Sequence, residues 1–210
     1  IKADNVEKAH TFFAGKTDGS KVSDICKDPK GDIYFWLQDP FGNYFQVIHD
    51  EYKYVDEGKI TGLSGGAVIG VPNIEAAKVV YKDILGYDIE VYSTDASNCD
   101  DFNFVPGGNG TFKRLLLRHS EVREGGFGKV FGPSEIELVE VTDREPRNMF
   151  EGRFWGDRGF IHLCFDVQGV DVLRNYCKEK GHPFTADTLE ILNGGDFDMG
   201  DVSGMFAYIE

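Results

Sequence analysis

The run Gly31-Asp-Ile-Tyr-Phe-Trp-Leu-Gln-Asp-Pro-Phe-Gly-Asn-Tyr-Phe-Gln-Val-Ile48 reads as two strands around a tight turn. Residues 33–37 and 44–48 are aromatic and β-branched, types that pack well on a pleated sheet. Asp39-Pro40 opens the turn, because an Asp side chain accepts from backbone N–H groups just ahead of it and Pro fixes its own φ. Gly42-Asn43 supplies residues that tolerate positive φ. Successive side chains of a strand point to opposite faces. Phe45 and Val47 therefore share the apolar face of the second strand, and Gln46 takes the other.

Upstream lies Asp4-Asn-Val-Glu-Lys-Ala-His-Thr-Phe-Phe13, whose rhythm returns in Pro72-Asn-Ile-Glu-Ala-Ala-Lys-Val-Val-Tyr81 and in Gln168-Gly-Val-Asp-Val-Leu-Arg-Asn-Tyr-Cys177. Each begins at a turn or capping residue and carries apolar residues at helical spacing. Val6, Ala9 and Phe13 correspond to Ile74, Ala77 and Tyr81, and to Val170, Leu173 and Cys177. Gly15, Gly86 and Gly181 are the expected helix stops. Strands are expected before the later two helices, at 66–71 and 160–167. Extended runs follow the three helices at 33–37, 112–118 and 205–209, with closing strands at 44–48 and 135–141. The repeating unit is thus βαβββ.

The middle unit, 60–142, has every element. The unit at 1–50 lacks its first strand, since Ile1-Lys2-Ala3 is too short for one, and the unit at 158–210 lacks its last. Stretches 50–60 and 143–157 read as linkers, with Phe150, Phe154 and Trp155 expected to pack. Missing strands leave raw sheet edges, which attract further strands. The expectation is a longer native chain, or a partner that adds the strands, as in a homo-oligomer. Gly107-Gly-Asn-Gly110 and Gly125-Gly-Phe-Gly128 read as hairpin turns rather than phosphate loops.

Composition narrows the function classes. The 210 residues are 41% hydrophobic and 28% charged, enough for a real core. Only 22 Lys and Arg face 36 Asp and Glu, a net charge of −14. Nucleic acid and anionic membranes, which recruit clustered cations, are poor partners. No apolar run reaches the ~18 residues of a membrane span, and no signal-peptide pattern opens the chain. Cys26, Cys99, Cys164 and Cys177 form no CxxC pair, so free thiols in a cytoplasmic protein are expected.

The repeats, with the strand, Asp-Pro-x-Gly-Asn turn and strand of 31–48, the Ile84-Leu-Gly-Tyr87 helix end and Phe160-Ile-His162, resemble the vicinal oxygen chelate superfamily of glyoxalase I, bleomycin-resistance proteins and extradiol dioxygenases. The resemblance implies an α+β fold, in which βαβββ units pair so that curved sheets enclose a central cleft, with helices on the convex faces. It also implies a divalent metal held by first and last strands. Alternation agrees on which residues face that cleft. Ile136 and Leu138 take the helix face and Glu137 the cleft. Ile161, Leu163 and Phe165 take the helix face and His162 and Cys164 the cleft. His162, Glu137 and Gln46 are the candidate metal ligands. His119 is the first substitute, and His10, His49 and His182 are read as surface or core residues.

The position that matches His162 in the middle unit is Gly66, which has no ligand to offer. A facial set of two histidines and a carboxylate, as oxygen-activating iron requires, is thereby disfavoured. The expected function is a glyoxalase-like lyase or isomerase. Zinc, nickel, manganese or magnesium would polarise a small substrate with adjacent oxygens, and Glu137 would act as base. The alternatives are a metal-free small-molecule binding protein of the bleomycin-resistance type, an extradiol dioxygenase, and a degenerate structural unit. Fold alone does not choose among them.

Overall fold

The computed structural model describes residues 1–154, 156–191, 197–198 and 203–209. It divides into two compact units, Ile1–Ala77 with Tyr87–His162, and Lys78–Gly86 with Leu163–Glu210. The architecture is α+β, with two mixed sheets of five strands in the first unit.

The first sheet is built from Lys2–Ala3 (β1), Lys21–Val22 (β2), Cys26–Lys27 (β3), Ile33–Gln38 (β4) and Tyr44–His49 (β5), in the order β1-β5-β4-β2 with β3 also on β4. Helix Val6–Ala14 (α1) follows β1. The Asn5 side chain caps it by accepting from the Lys8 N–H at 2.8 Å. The β4–β5 turn forms as its residues dictate. The Asp39 carboxylate accepts from the N–H groups of Phe41 and Asn43 at 2.9 and 2.8 Å, and Gly42 takes φ +90°. Val6 and Ala9 of α1 bury against Phe35, Leu37 and Val47 on the convex face. Each large side chain fully buried in this way contributes ~1.5–3 kcal/mol.

The second sheet comprises Gly66–Val71 (β6), Ile89–Ser93 (β7), Ser97–Asn98 (β8), Thr111–Arg118 (β9) and Glu135–Val141 (β10). Its order is β6-β10-β9-β7, with β8 on β9. β6 runs parallel to β10 through six pairs, Glu135–Gly66 to Glu140–Val71. Helix Ile74–Lys78 (α2) continues into a π-helical turn, Val79–Ile84, which Gly86 stops at φ +73°. Leu115, Leu117, Ile136 and Leu138 are buried, as the alternation requires. Tyr34 and Trp36 of β4 form one core with Cys99, Phe102, Phe112 and Val139. The two sheets therefore meet through their concave faces. Lys2 adds a further tie. Its fully buried Nζ donates to the Phe131 and Pro133 carbonyls at 2.8 and 2.6 Å and pairs with Asp50 at 3.0 Å, which uses all three of its protons.

Three expectations change. Residues 125–128 do not make a hairpin turn but open a short helix, Gly126–Phe131 (α3), whose last carbonyl is the one that Lys2 holds. Residues 160–167 form no strand, and Leu163 is 45% exposed. β6 is held by the closing strand of its own repeat, and β1 by β5. No such closing strand accompanies 160–167 among the described residues, so its alternation has no ladder to express it. In the linker, Phe150 and Phe154 are exposed rather than packed, and Trp155 lies outside the described residues.

In the second unit, helix Val170–Glu179 (α4) buries Cys177 and stops before Gly181 at φ +84°. Ala186–Asp187 (β11) leads into the short helix Thr188–Ile191 (α5), and Phe197–Asp198 (β12) pairs with Ser203–Gly204 (β13). Of the expected 205–209 strand, Ala207–Tyr208 (β14) pairs with β11. Glu210 lies outside the described residues. Arg174 and the buried Asp187 form an ion pair at 3.0 Å. Among the described residues no helix is long and apolar enough to cross a membrane.

Candidate functional site: a buried ionic centre on the concave face

Glu137 stands on β10 between Ile136 and Leu138, which bury on the opposite face, so its carboxylate is carried into the concave side. It is 3% exposed. A carboxylate so placed needs a compensating charge and hydrogen-bond donors. Arg114 of β9 supplies both, with Nε donating to Glu137 Oε1 at 2.6 Å. Tyr92 of β7 donates its hydroxyl to the same oxygen at 2.7 Å.

The guanidinium also reaches the other way. Nη1 donates to Asp101 Oδ2 at 2.7 Å. Asp101 lies in the 3₁₀ turn Asp100–Phe102, and accepts a hydrogen bond from the Tyr34 hydroxyl as well. The Trp36 indole N–H donates to the Asp101 carbonyl at 2.9 Å. Above the plane, the Phe102 ring lies 4.4 Å from the guanidinium carbon, within cation–π range. One cation thus bridges two carboxylates, each also held by a phenol from a different strand. The first sheet gives Tyr34 and Trp36, and the second gives Arg114, Glu137 and Tyr92.

Ionisation follows this geometry. Burial opposes the charge on Arg114, but the adjacent Glu137 carboxylate outweighs it and holds the guanidinium protonated well above the usual arginine range. Burial raises the Tyr34 phenol far above its ordinary value, and the hydrogen bond to Asp101 adds to this. Burial and then the Glu137 charge do the same to Tyr92. The Cys99 thiol is pushed up by burial, and the charge on Arg114 partly offsets this. Arg114 Nη2 is buried and is the one described buried side-chain polar atom without a hydrogen-bond partner.

Gln46 shares the concave face, directly across the ladder from Trp36, and is half-buried. His162 is exposed, in the segment that forms no strand. His119 stacks on Tyr87 at 3.8 Å between ring centres and its Nδ1 contacts Arg123. His10 packs edge-on against Phe35 and bonds the Ser23 carbonyl at 2.8 Å. Position 66 has no room for a ligand. Its φ is +144°, and a Cβ there would overlap the Glu135 carbonyl. Beside α1, on the convex side, a hollow of about 440 Å³ is lined by Glu7, Lys8, Thr11, Phe12 and Ile60.

The residues around Glu137 do not fit a divalent metal. Among the described residues no group of three or more His, Cys, Asp and Glu could hold one. A dication at Glu137 would also lie against the guanidinium that already binds the same oxygen. The sequence placed Glu137 on the correct face but missed its partners. Arg114 was readable, since Leu115 and Leu117 on the convex side send Arg114 to the concave one. Asp101 sits in a turn and carries no periodic signal.

No family model matches the chain, and no curated protein matches it in sequence. Among solved structures it is similar to glyoxalase I from Zea mays, at 15% identity and a TM-score of 0.39, covering 69% of this chain and 42% of that one. Two mutant structures of the same enzyme give 16% identity, with TM-scores of 0.39 and 0.40. The chain therefore spans about two fifths of the length of the glyoxalase I chains it matches.

Proposed function

We propose that the chain belongs to a protein of the vicinal oxygen chelate type with a division of labour among its repeats. The repeats at 1–50 and 60–142 form a closed pair that holds no metal. The glyoxalase-like chemistry, a divalent-metal-dependent lyase or isomerase reaction on a small substrate with adjacent oxygens, belongs to the repeat at 158–210 through His162. The observation that carries this reading is the engagement of Glu137: its buried carboxylate is bound by Arg114 and Tyr92 and so is not available to complete a site with His162. His162 is exposed, so its imidazole can be reached by an ion from solvent. In such a site zinc, nickel, manganese or magnesium would supply Lewis-acid stabilisation of an enediolate.

Metal analysis of the native full-length protein and two variants tests this. His162→Ala is expected to lower the bound divalent metal to a small fraction of wild type, and Glu137→Gln to leave it unchanged. Equal loss in both variants overturns the division and restores a shared Glu137–His162 site. Retention in both refutes the role of His162. Absence of metal from the wild type, after incubation with each of the four ions, moves the assignment to a metal-free binding protein of the bleomycin-resistance type.

A further inference from the structure

We infer that Arg114 is a built-in cation, a covalently tethered substitute for a metal ion at the centre of the paired sheets. Its guanidinium lies between Glu137 Oε1 at 2.6 Å and Asp101 Oδ2 at 2.7 Å. Both carboxylates are further held by phenol hydroxyls, those of Tyr92 and Tyr34. The two oxygens that contact the guanidinium are both carboxylate oxygens, the donor type that hard cations choose, and the phenols orient them from outside. Arg114 and Glu137 are each 3% exposed, and the guanidinium offsets one of the two carboxylate charges without an ion from solvent, while Asp101, the second, is the more exposed at 14%. An ion pair so buried is not retained for its net stability, since two desolvated charges roughly cancel their own attraction. Its effect is to fix which elements meet: β4, β7, β9, β10 and the 100–102 turn all contribute one group each.

A tethered cation also differs from a metal in what it permits. Nε and Nη1 are committed to the two carboxylates, and arginine does not deprotonate in proteins. The centre therefore offers no Lewis acid to a substrate, and its one uncommitted donor is the buried Nη2. The pair can then keep the fold of a chelating cleft while being closed to chelation.

The inference rests on the metal-free reading of this repeat pair, and its test is separate from the role of His162. Arg114→Ala leaves both carboxylates buried without their cation and opens the space that the guanidinium filled. In the full-length variant the melting temperature is expected to fall by about 10 °C. Millimolar methylguanidinium or, in a His162→Ala background, Mn²⁺ is expected to recover half or more of that loss, because a ligand bound only by the folded state stabilises it. Methylguanidinium leaves wild type unmoved, and Mn²⁺ leaves the His162→Ala single variant unmoved. Failure of methylguanidinium and of Mn²⁺ alike to restore Arg114→Ala overturns the inference. Should this variant not fold, the triple variant Arg114→Met/Asp101→Asn/Glu137→Gln decides. Recovery of a folded, cooperative protein shows that Arg114 acts through its charge on the two carboxylates. A triple variant that also fails to fold refutes that. Stoichiometric Mn²⁺ binding by wild type that is lost in Glu137→Gln would instead sink the metal-free reading itself.

Discussion

The two five-stranded sheets have the same strand plan and opposite concave faces. On the first, β4 and β5 present Tyr34, Trp36, Tyr44 and Gln46, all uncharged. On the second, β9 and β10 present Arg114 and Glu137 among Phe112, Leu116 and Val139. Each face has needs that the other meets. The ions of the second sheet need shelter from competing solvent, and the phenol and indole of the first need hydrogen-bond acceptors once buried. Pairing solves both, since Tyr34 and Trp36 find Asp101 while the Phe102 ring of the same turn covers the guanidinium. The second sheet thus adds charge to its apolar packing, whereas the first packs mainly through apolar side chains under α1.

The largest expected effect is at Glu137. Glu137→Ala leaves Arg114 buried with a single carboxylate, at a cost of ~3–5 kcal/mol, against ~0.5 kcal/mol or less for Gln46→Ala at the half-buried position of the first sheet. Denaturant melts of both variants measure the difference, and equal costs would erase the contrast between the faces. Gly66→Ala comes next. A Cβ overlapping the Glu135 carbonyl at φ +144° should cost roughly 2–4 kcal/mol and loosen the β6–β10 ladder, which amide hydrogen exchange on 135–140 would show.

Tyr92→Phe removes a donor to a charged acceptor, and about 1.5–3 kcal/mol is expected from equilibrium unfolding. The two phenols also predict an alkaline limit. Their folded pKa values are raised, so the stability they confer is present in full below the unfolded tyrosine pKa of ~10 and is lost as pH rises beyond it. Tyrosinate absorbance should therefore leave Tyr34 and Tyr92 silent until the protein unfolds. Early titration of both would contradict the closed centre. Asn5→Ala, which removes the α1 cap on the first sheet, is the smallest effect, ~1 kcal/mol in thermal melts.

Much of this was legible before any coordinates. Alternation assigned Phe45, Val47, Ile136 and Leu138 to the helix side and Glu137 to the other, because a strand with one buried face has only one workable phase. The Asp39 turn was legible because its side chain makes the turn's own hydrogen bonds. The strand at 160–167 misled for the converse reason: alternation describes which way residues would point, whereas a ladder requires a neighbour. The centre itself was half-visible. Glu137 announced a buried charge, and the phase of Leu115 and Leu117 puts Arg114 on the same side, although the neighbouring Lys113 and Arg118 hide it among surface cations.

Trp36 has a consequence in spectroscopic terms. It is 5% exposed, its indole N–H bonds the Asp101 carbonyl, and its ring packs edge-on with Tyr34 and Phe102 at 6.0 and 5.9 Å. The sequence has one other tryptophan, Trp155 in the linker. In a Trp155→Phe background, all indole emission comes from the seam between the two sheets. Its wavelength then reads water entry into that seam directly, and separation of the paired sheets can be followed without a label, apart from any melting of their outer helices.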